Sequence, residues 1–217
     1  MEQQNTKYVM DIKEAKELYL DSPPPLKTGF KELDDLLEGG VKPHYKYLFY
    51  GEAGTGKTRI LKSIVENQDW DSEKAIIVMP PTNMPIKLEN IGSNMKLYIV
   101  RTIEDTIRIL RINLFSIKSR YRLIAIDRID EIISSSKNPL VDGYTILNIV
   151  GQFLYKFDSS FIAFSGVYQT VGKTEVIKPK IPNPLITLFN RYYYLSKFDK
   201  RVRIYDQLTR KSAIIKL

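Results

Sequence analysis

The residues Gly51-Glu52-Ala53-Gly54-Thr55-Gly56-Lys57-Thr58 match the pattern GxxxxGK[ST]. Glycines at these intervals let a backbone curl until several N–H groups converge on one phosphate, and a helix starting just after them adds its positive end. In such a loop Lys57 reaches the β- and γ-phosphates and Thr58 offers a hydroxyl to Mg²⁺. The predicted chemistry is therefore phosphate binding, and the predicted ligand is ATP with Mg²⁺, held by Gly51 through Thr58 with the adjoining Arg59. The alternative is a chance Gly-rich turn. The apolar run before the loop and the helical pattern after it argue against that alternative.

A second half of such a site needs a carboxylate at the end of another buried strand, close enough to hold Mg²⁺. Tyr121-Arg-Leu-Ile-Ala-Ile-Asp127 supplies one: four apolar residues and then Asp127. Asp127 could instead only cap a helix beginning near Arg128. Asp130 and Glu131 read as solvated acids of that helix's first turn. The expected metal ligands are thus Thr58 and Asp127.

The elements needed to position these groups are legible in the pattern. Thr28 can cap a helix whose Phe30, Leu33, Leu36 and Leu37 share a face and which Gly39-Gly40 stop. Tyr45–Tyr50 reads as a buried strand leading into the loop, and Lys57–Asn67 as the helix leaving it. Strands are expected at Ala75–Met79, Leu97–Val100, Leu123–Ile126 and Phe161–Phe164, with helices at Thr102–Lys118 and Val141–Lys156. This alternation predicts an α/β fold with a mostly parallel sheet and helices on both faces. Arg191–Ser196, Arg201–Asp206 and Ala213–Leu217 read as an antiparallel extension at one edge. Residues 1–27 form an arm ending in the stiff Pro23-Pro24-Pro25 run, and residues 28–217 form the core domain.

Composition narrows the classes. The chain of 217 residues has no cysteine and one histidine, His44, which excludes disulfides and Cys- or His-cluster metal sites. No apolar run approaches the roughly 20 residues of a membrane span, and the N-terminus lacks a signal pattern, so a cytoplasmic location is expected. A net charge of +8 suits a polyanionic partner and is equally compatible with ordinary solubility.

Thr28-Gly-Phe-Lys-Glu-Leu-Asp-Asp-Leu-Leu-Glu-Gly-Gly40-Val41, followed by the Gly51–Thr58 loop, resembles the opening of the RecA-superfamily core of archaeal RadA recombinases and KaiC-like ATPases. The resemblance spans roughly Thr28 to Leu217. It implies a RecA-like P-loop core, and the short length and absence of a helical N-terminal domain are most similar to a RadA paralogue, an accessory factor in recombinational DNA repair. The partners so implied are a RadA-type recombinase or another paralogue and single-stranded DNA; a homo-oligomer is also open. Ile12-Lys-Glu-Ala15 stands where the family carries a Phe-x-x-Ala motif that adds to a neighbour's sheet, with an exposed amphipathic helix as the plain alternative.

The family places DNA against two loops, which correspond here to Ser134–Asn138, with Lys137, and to Tyr168–Lys180, with Lys173, Lys178 and Lys180. The second is basic and could track a phosphate backbone while Tyr168 stacks on a base; a solvated loop is the alternative. Gln169 falls near the family's polar sensor of the γ-phosphate. One departure concerns hydrolysis. Active members end the strand after the loop helix with a water-activating Glu, whereas Ala75-Ile-Ile-Val-Met-Pro80-Pro81-Thr82 puts proline there, so slow or partner-dependent hydrolysis is expected. The alternative function is a KaiC-like ATP switch or assembly protein that binds no nucleic acid.

Overall fold

In a computed structural model, residues 22–70, 73–81, 94–116, 120–170 and 176–217 are described. The predicted partner motif, Ile12 to Ala15, lies outside them. At the centre stands β1 (Lys46–Gly51), whose Tyr47, Leu48, Phe49 and Tyr50 are all buried. An uninterrupted apolar strand of this kind suits a sheet covered on both faces.

Nine further strands accompany it among the described residues: β2 (Glu73–Met79), β3 (Met95–Ile99), β4 (Arg120–Ile126), β5 (Ser160–Ser165), β6 (Val167–Thr170), β7 (Val176–Pro179), β8 (Arg191–Phe198), β9 (Arg201–Asp206) and β10 (Ser212–Lys216). An eight-stranded sheet runs β10-β9-β8-β1-β5-β4-β2-β3. From β8 to β3 all neighbours are parallel, and β9 and β10 continue antiparallel at the far edge.

Side-chain alternation sends the two faces of each strand into separate cores. On one face Tyr47, Phe49, Ile77 and Phe164 pack against α1 (Lys31–Leu36) and α2 (Lys57–Glu66). Phe49 stacks there on Tyr193 at 5.0 Å and on Phe164 at 5.6 Å. On the other, Leu48, Ile76, Val78 and Ile126 meet α3 (Ile103–Leu114), α4 (Ile129–Ser134), α5 (Pro139–Phe157) and the short α6 (Asn183–Ile186). The aromatic run at 192–194 belongs to this packing, since Tyr193 is 1% exposed and sits in β8 between β1 and β9.

Three expectations need correction. Thr28 does not cap α1: Gly29 has φ +80, which breaks the helical path, so Thr28 closes a turn instead. Its N–H donates to Asp34 Oδ1 at 2.8 Å and its hydroxyl oxygen accepts from Phe30 N. The helix expected over 102–118 ends at Leu114, with Thr102 as its N-cap accepting from Asp105 N, and Phe115 as its C-cap. The stretch expected as a basic loop, 168–180, is largely β-hairpin: β6 and β7 pair antiparallel as a separate two-stranded sheet. Its β-branched Val167, Thr170, Val176 and Ile177 favour the extended backbone that the intervening charges obscured.

Between β2 and β4 the register shifts, Lys74 facing Tyr121 and Ala75 facing Leu123, so that Arg122 is the extra residue of a bulge. Arg122 is 2% exposed; it donates to the carbonyls of Asp158 (3.0 Å) and Pro24 (2.6 Å), tying the proline run to the sheet. Leu26 next to that run is buried and bridges to Val41. Arg122→Met leaves two carbonyls without these charged donors, which should cost about 2 kcal/mol and lower the unfolding midpoint by roughly 4–8 °C. An unchanged melting curve by circular dichroism would contradict this anchoring role. Among the described residues, no helix is long and apolar enough to cross a membrane.

Candidate functional site

The carboxyl end of β1 delivers Gly51 to a close approach: a Cβ there would stand 2.5 Å from the Leu195 carbonyl oxygen of β8. The loop then turns back through Gly54 (φ +77) and Gly56 (φ +83), both left-handed, and α2 begins at Lys57. Gly56 caps the helix with no side-chain bond, so the first amides of this ten-residue helix remain available to an anion. A side chain at Gly56 would collide with Leu217, whose Cδ1 lies 1.9 Å from the Cβ position. Thr55 is buried beneath the loop and closes it by donating from Oγ1 to Glu52 O at 2.9 Å.

Lys57 folds over this loop, donating from Nζ to the carbonyl oxygens of Gly51 (2.7 Å) and Glu52 (2.6 Å). Burial pulls its pKa below the usual lysine value, with Asp127 and Asp130 opposing the shift. Thr58 Oγ1 donates to Asp127 Oδ2 at 2.7 Å across 69 positions of sequence. Asp127 is fully buried at the end of β4, and its N–H donates to Val78 O at 2.9 Å. The loop and Asp127, recognised separately in the sequence, thus meet in one site.

They line a cleft of about 650 Å³ together with Arg59, Arg128, Asp130, Gly166, Val167 and Lys180. Arg128 is left-handed (φ 55) and ion-pairs with Glu131. For a non-glycine residue that conformation costs about 1–2 kcal/mol, strain of the kind that gathers at functional sites. Asp130 corrects the sequence reading. It is 4% exposed rather than solvated, because the six-residue α4 turns its first carboxylate under the β5–β6 connection. Gly166 N–H donates to it there, while burial raises its pKa. Nothing local in the sequence marks Asp130 or Arg128 as part of the cleft; Gly166, a glycine directly after an apolar strand, was the one available hint.

The oxygen donors of Thr58 and Asp127 suit a hard divalent cation such as Mg²⁺, and Asp130 lines the cleft beside them. Among the described residues no group of three or more His, Cys, Asp or Glu side chains gathers, so a cation here must draw further ligands from water or phosphate, as Mg²⁺ commonly does. The strand expected to carry a water-activating Glu ends at Met79 and is followed by buried Pro80 and exposed Pro81. Its register, Val78 facing Ile126, sets Met79 level with Asp127. Of the glutamates that could substitute as base, none of which stands at the end of that strand, Glu52 lines the cleft and Glu131 is engaged by Arg128, whereas Glu89 lies outside the described residues.

A neighbouring groove of about 440 Å³ is shared by Ser134 and Ser135 at the end of α4 and by Tyr168 and Lys180 of the hairpin. The two segments expected to face DNA therefore adjoin. Tyr168 is 57% exposed with Lys180 Nζ 5.8 Å from its ring centroid, and Lys178 pairs opposite it in β7. Lys137 is exposed but stands outside this lining. The Gln169 backbone lies in β6 opposite Ile177, but its side chain and all of Lys173 fall outside the described residues. No family model matches this chain.

Proposed function

We propose that the chain is a P-loop nucleotide-binding protein holding ATP and Mg²⁺ in the cleft between the Gly51–Thr58 loop and Asp127. The observation that carries this reading is the Thr58–Asp127 hydrogen bond at 2.7 Å beside a helix start preceded by two left-handed glycines, Gly54 and Gly56. Phosphate oxygens would meet the amides of Gly54 to Thr58 and the Lys57 ammonium, and Mg²⁺ would be held by Thr58 and Asp127. Binding of a fluorescent ATP analogue that saturates and is strengthened by Mg²⁺ tests this step.

Within that class, the particular reading is a RecA-like core acting as a RadA-type paralogue, an accessory factor of recombinational repair that contacts single-stranded DNA through the β6–β7 hairpin. Support comes from the basic, exposed Lys178 and Lys180 beside Tyr168, and from Lys180 lining both the groove and the cleft. Changing Lys173, Lys178 and Lys180 together to alanine should weaken single-strand binding and flatten its log–log salt dependence by roughly 2, about 0.7 per lost phosphate contact. Fluorescence anisotropy at several salt concentrations, with and without ATP, measures it. An unchanged slope would remove the DNA assignment and leave an ATP-dependent switch.

A further inference from the structure

Asp130 carries an unresolved electrostatic problem. It is 4% exposed, and among the described residues no hydrogen-bond donor reaches its Oδ1. Its carboxylate accepts from Gly166 N–H and from its own backbone N–H. A carboxylate oxygen removed from water without a replacement donor is unfavourable, and the cleft that Asp130 lines is a place from which a bound group could supply one. The side chains alone are too few to strip a cation of its water. A cation held by Thr58 and Asp127 therefore keeps water molecules in its shell, and those waters are donors of the kind that Oδ1 lacks.

Gly166 is held from both sides: its N–H by Asp130 and its carbonyl by Lys180 N–H at 2.9 Å. Gly166 and Lys180 close the base of the β6–β7 hairpin. The fit is tight, since a Cβ at Gly166 would lie 3.1 Å from Asp130 Oδ2 and 3.3 Å from Lys180 Cδ. The geometry points to Asp130 as a positioning residue that takes a hydrogen bond from the water shell of nucleotide-bound Mg²⁺ while holding Gly166, so that occupancy of the cleft is transmitted to the hairpin. This inference rests on the Mg·ATP reading and adds to it a route by which ATP regulates the hairpin surface.

Asp130→Asn is nearly isosteric and removes the charge. Three measurements on the full chain test the idea: ATP affinity with Mg²⁺ and with EDTA, amide hydrogen exchange of segments 167–170 and 176–180 with and without Mg·ATP, and thermal unfolding without nucleotide. In the wild type, Mg·ATP should slow exchange in the hairpin. In Asp130→Asn, affinity in EDTA should match the wild type, the gain from Mg²⁺ should shrink about tenfold or more, and the slowing should vanish. The unfolding midpoint should stay or rise, because a buried charge has been removed. Gly166→Ala, which crowds the contact and keeps the charge, should lose the hairpin response and retain the Mg²⁺ gain. Wild-type Mg²⁺ dependence in Asp130→Asn, or a lowered midpoint with both affinities reduced alike, overturns the inference while leaving ATP binding intact. A wild type that binds no ATP overturns the underlying reading as well.

Discussion

Lys57→Ala is expected to weaken Mg·ATP binding at least a hundredfold while moving the unfolding midpoint little. In the structure the ammonium already spans the loop, donating to two carbonyl oxygens at 2.7 and 2.6 Å, and it stands in a cleft where burial disfavours its charge. A phosphate oxygen in reach would restore that lost solvation with charge-assisted bonds worth about 1.5–3 kcal/mol each. Two such bonds amount to about 3 kcal/mol or more, which is a factor on the order of 100 in affinity. The same burial limits the stability cost of losing the lysine, because the desolvated charge disappears with its hydrogen bonds. Isothermal titration with ATP and Mg²⁺ and a parallel melting curve separate the two quantities. Equal affinities for the variant and the wild type would remove Lys57 from the site.

The second large effect concerns turnover. Register sets Met79 level with Asp127, so a base at the end of β2 would have to stand on Pro80 or Pro81, neither of which has an ionisable side chain. Loss of a positioned general base lowers rates by about 10²–10⁴. Applied to a typical turnover of about 10 s⁻¹, this gives roughly 0.1–0.001 s⁻¹ for the purified protein alone. Phosphate release under saturating Mg·ATP measures it. A turnover near 1 s⁻¹ that Lys57→Ala abolishes would show that another group, Glu52 being the one in the cleft, orients the water. The pairing of firm binding with slow hydrolysis suits a switch more than an engine.

How much of this was legible in the sequence depended on whether the signal was local. The Gly51–Thr58 loop was legible because its glycines are demanded by backbone geometry within a few residues: left-handed φ at Gly54 and Gly56, and the close pass of β8 at Gly51. Asp127 was legible because an apolar strand ending in an acid is a short-range pattern, and the alternation of strands and helices gave the layered α/β architecture directly. Asp130 was not, since an acid in a helix's first turn is ordinarily solvated. Only the packing of the β5–β6 connection over it, from far along the chain, makes it part of the cleft. The hairpin was misread as a loop because Gly172, Lys173 and Glu175 break its β-branched residues into short runs, too short to show a strand pattern in the sequence. The bulge at Arg122 was not legible, since Arg120 and Arg122 read as a charged entry to the apolar run from Leu123 and the register shift shows only against β2.

Arg122 lies near the start of β4, and Asp127 directly follows its last residue. β4 is buried from Tyr121 onward and hydrogen-bonded on both sides, so it has little freedom to stretch or buckle. Over the five residue steps from Arg122 to Asp127, at about 3.3 Å each, it forms a strut of roughly 17 Å. The proline run grips one end of that strut through Pro24, and the cation-binding carboxylate proposed for the cleft sits on the other. A pull on the chain at its entry point into the domain is therefore borne by the same rigid member that sets the height of Asp127 beneath the loop.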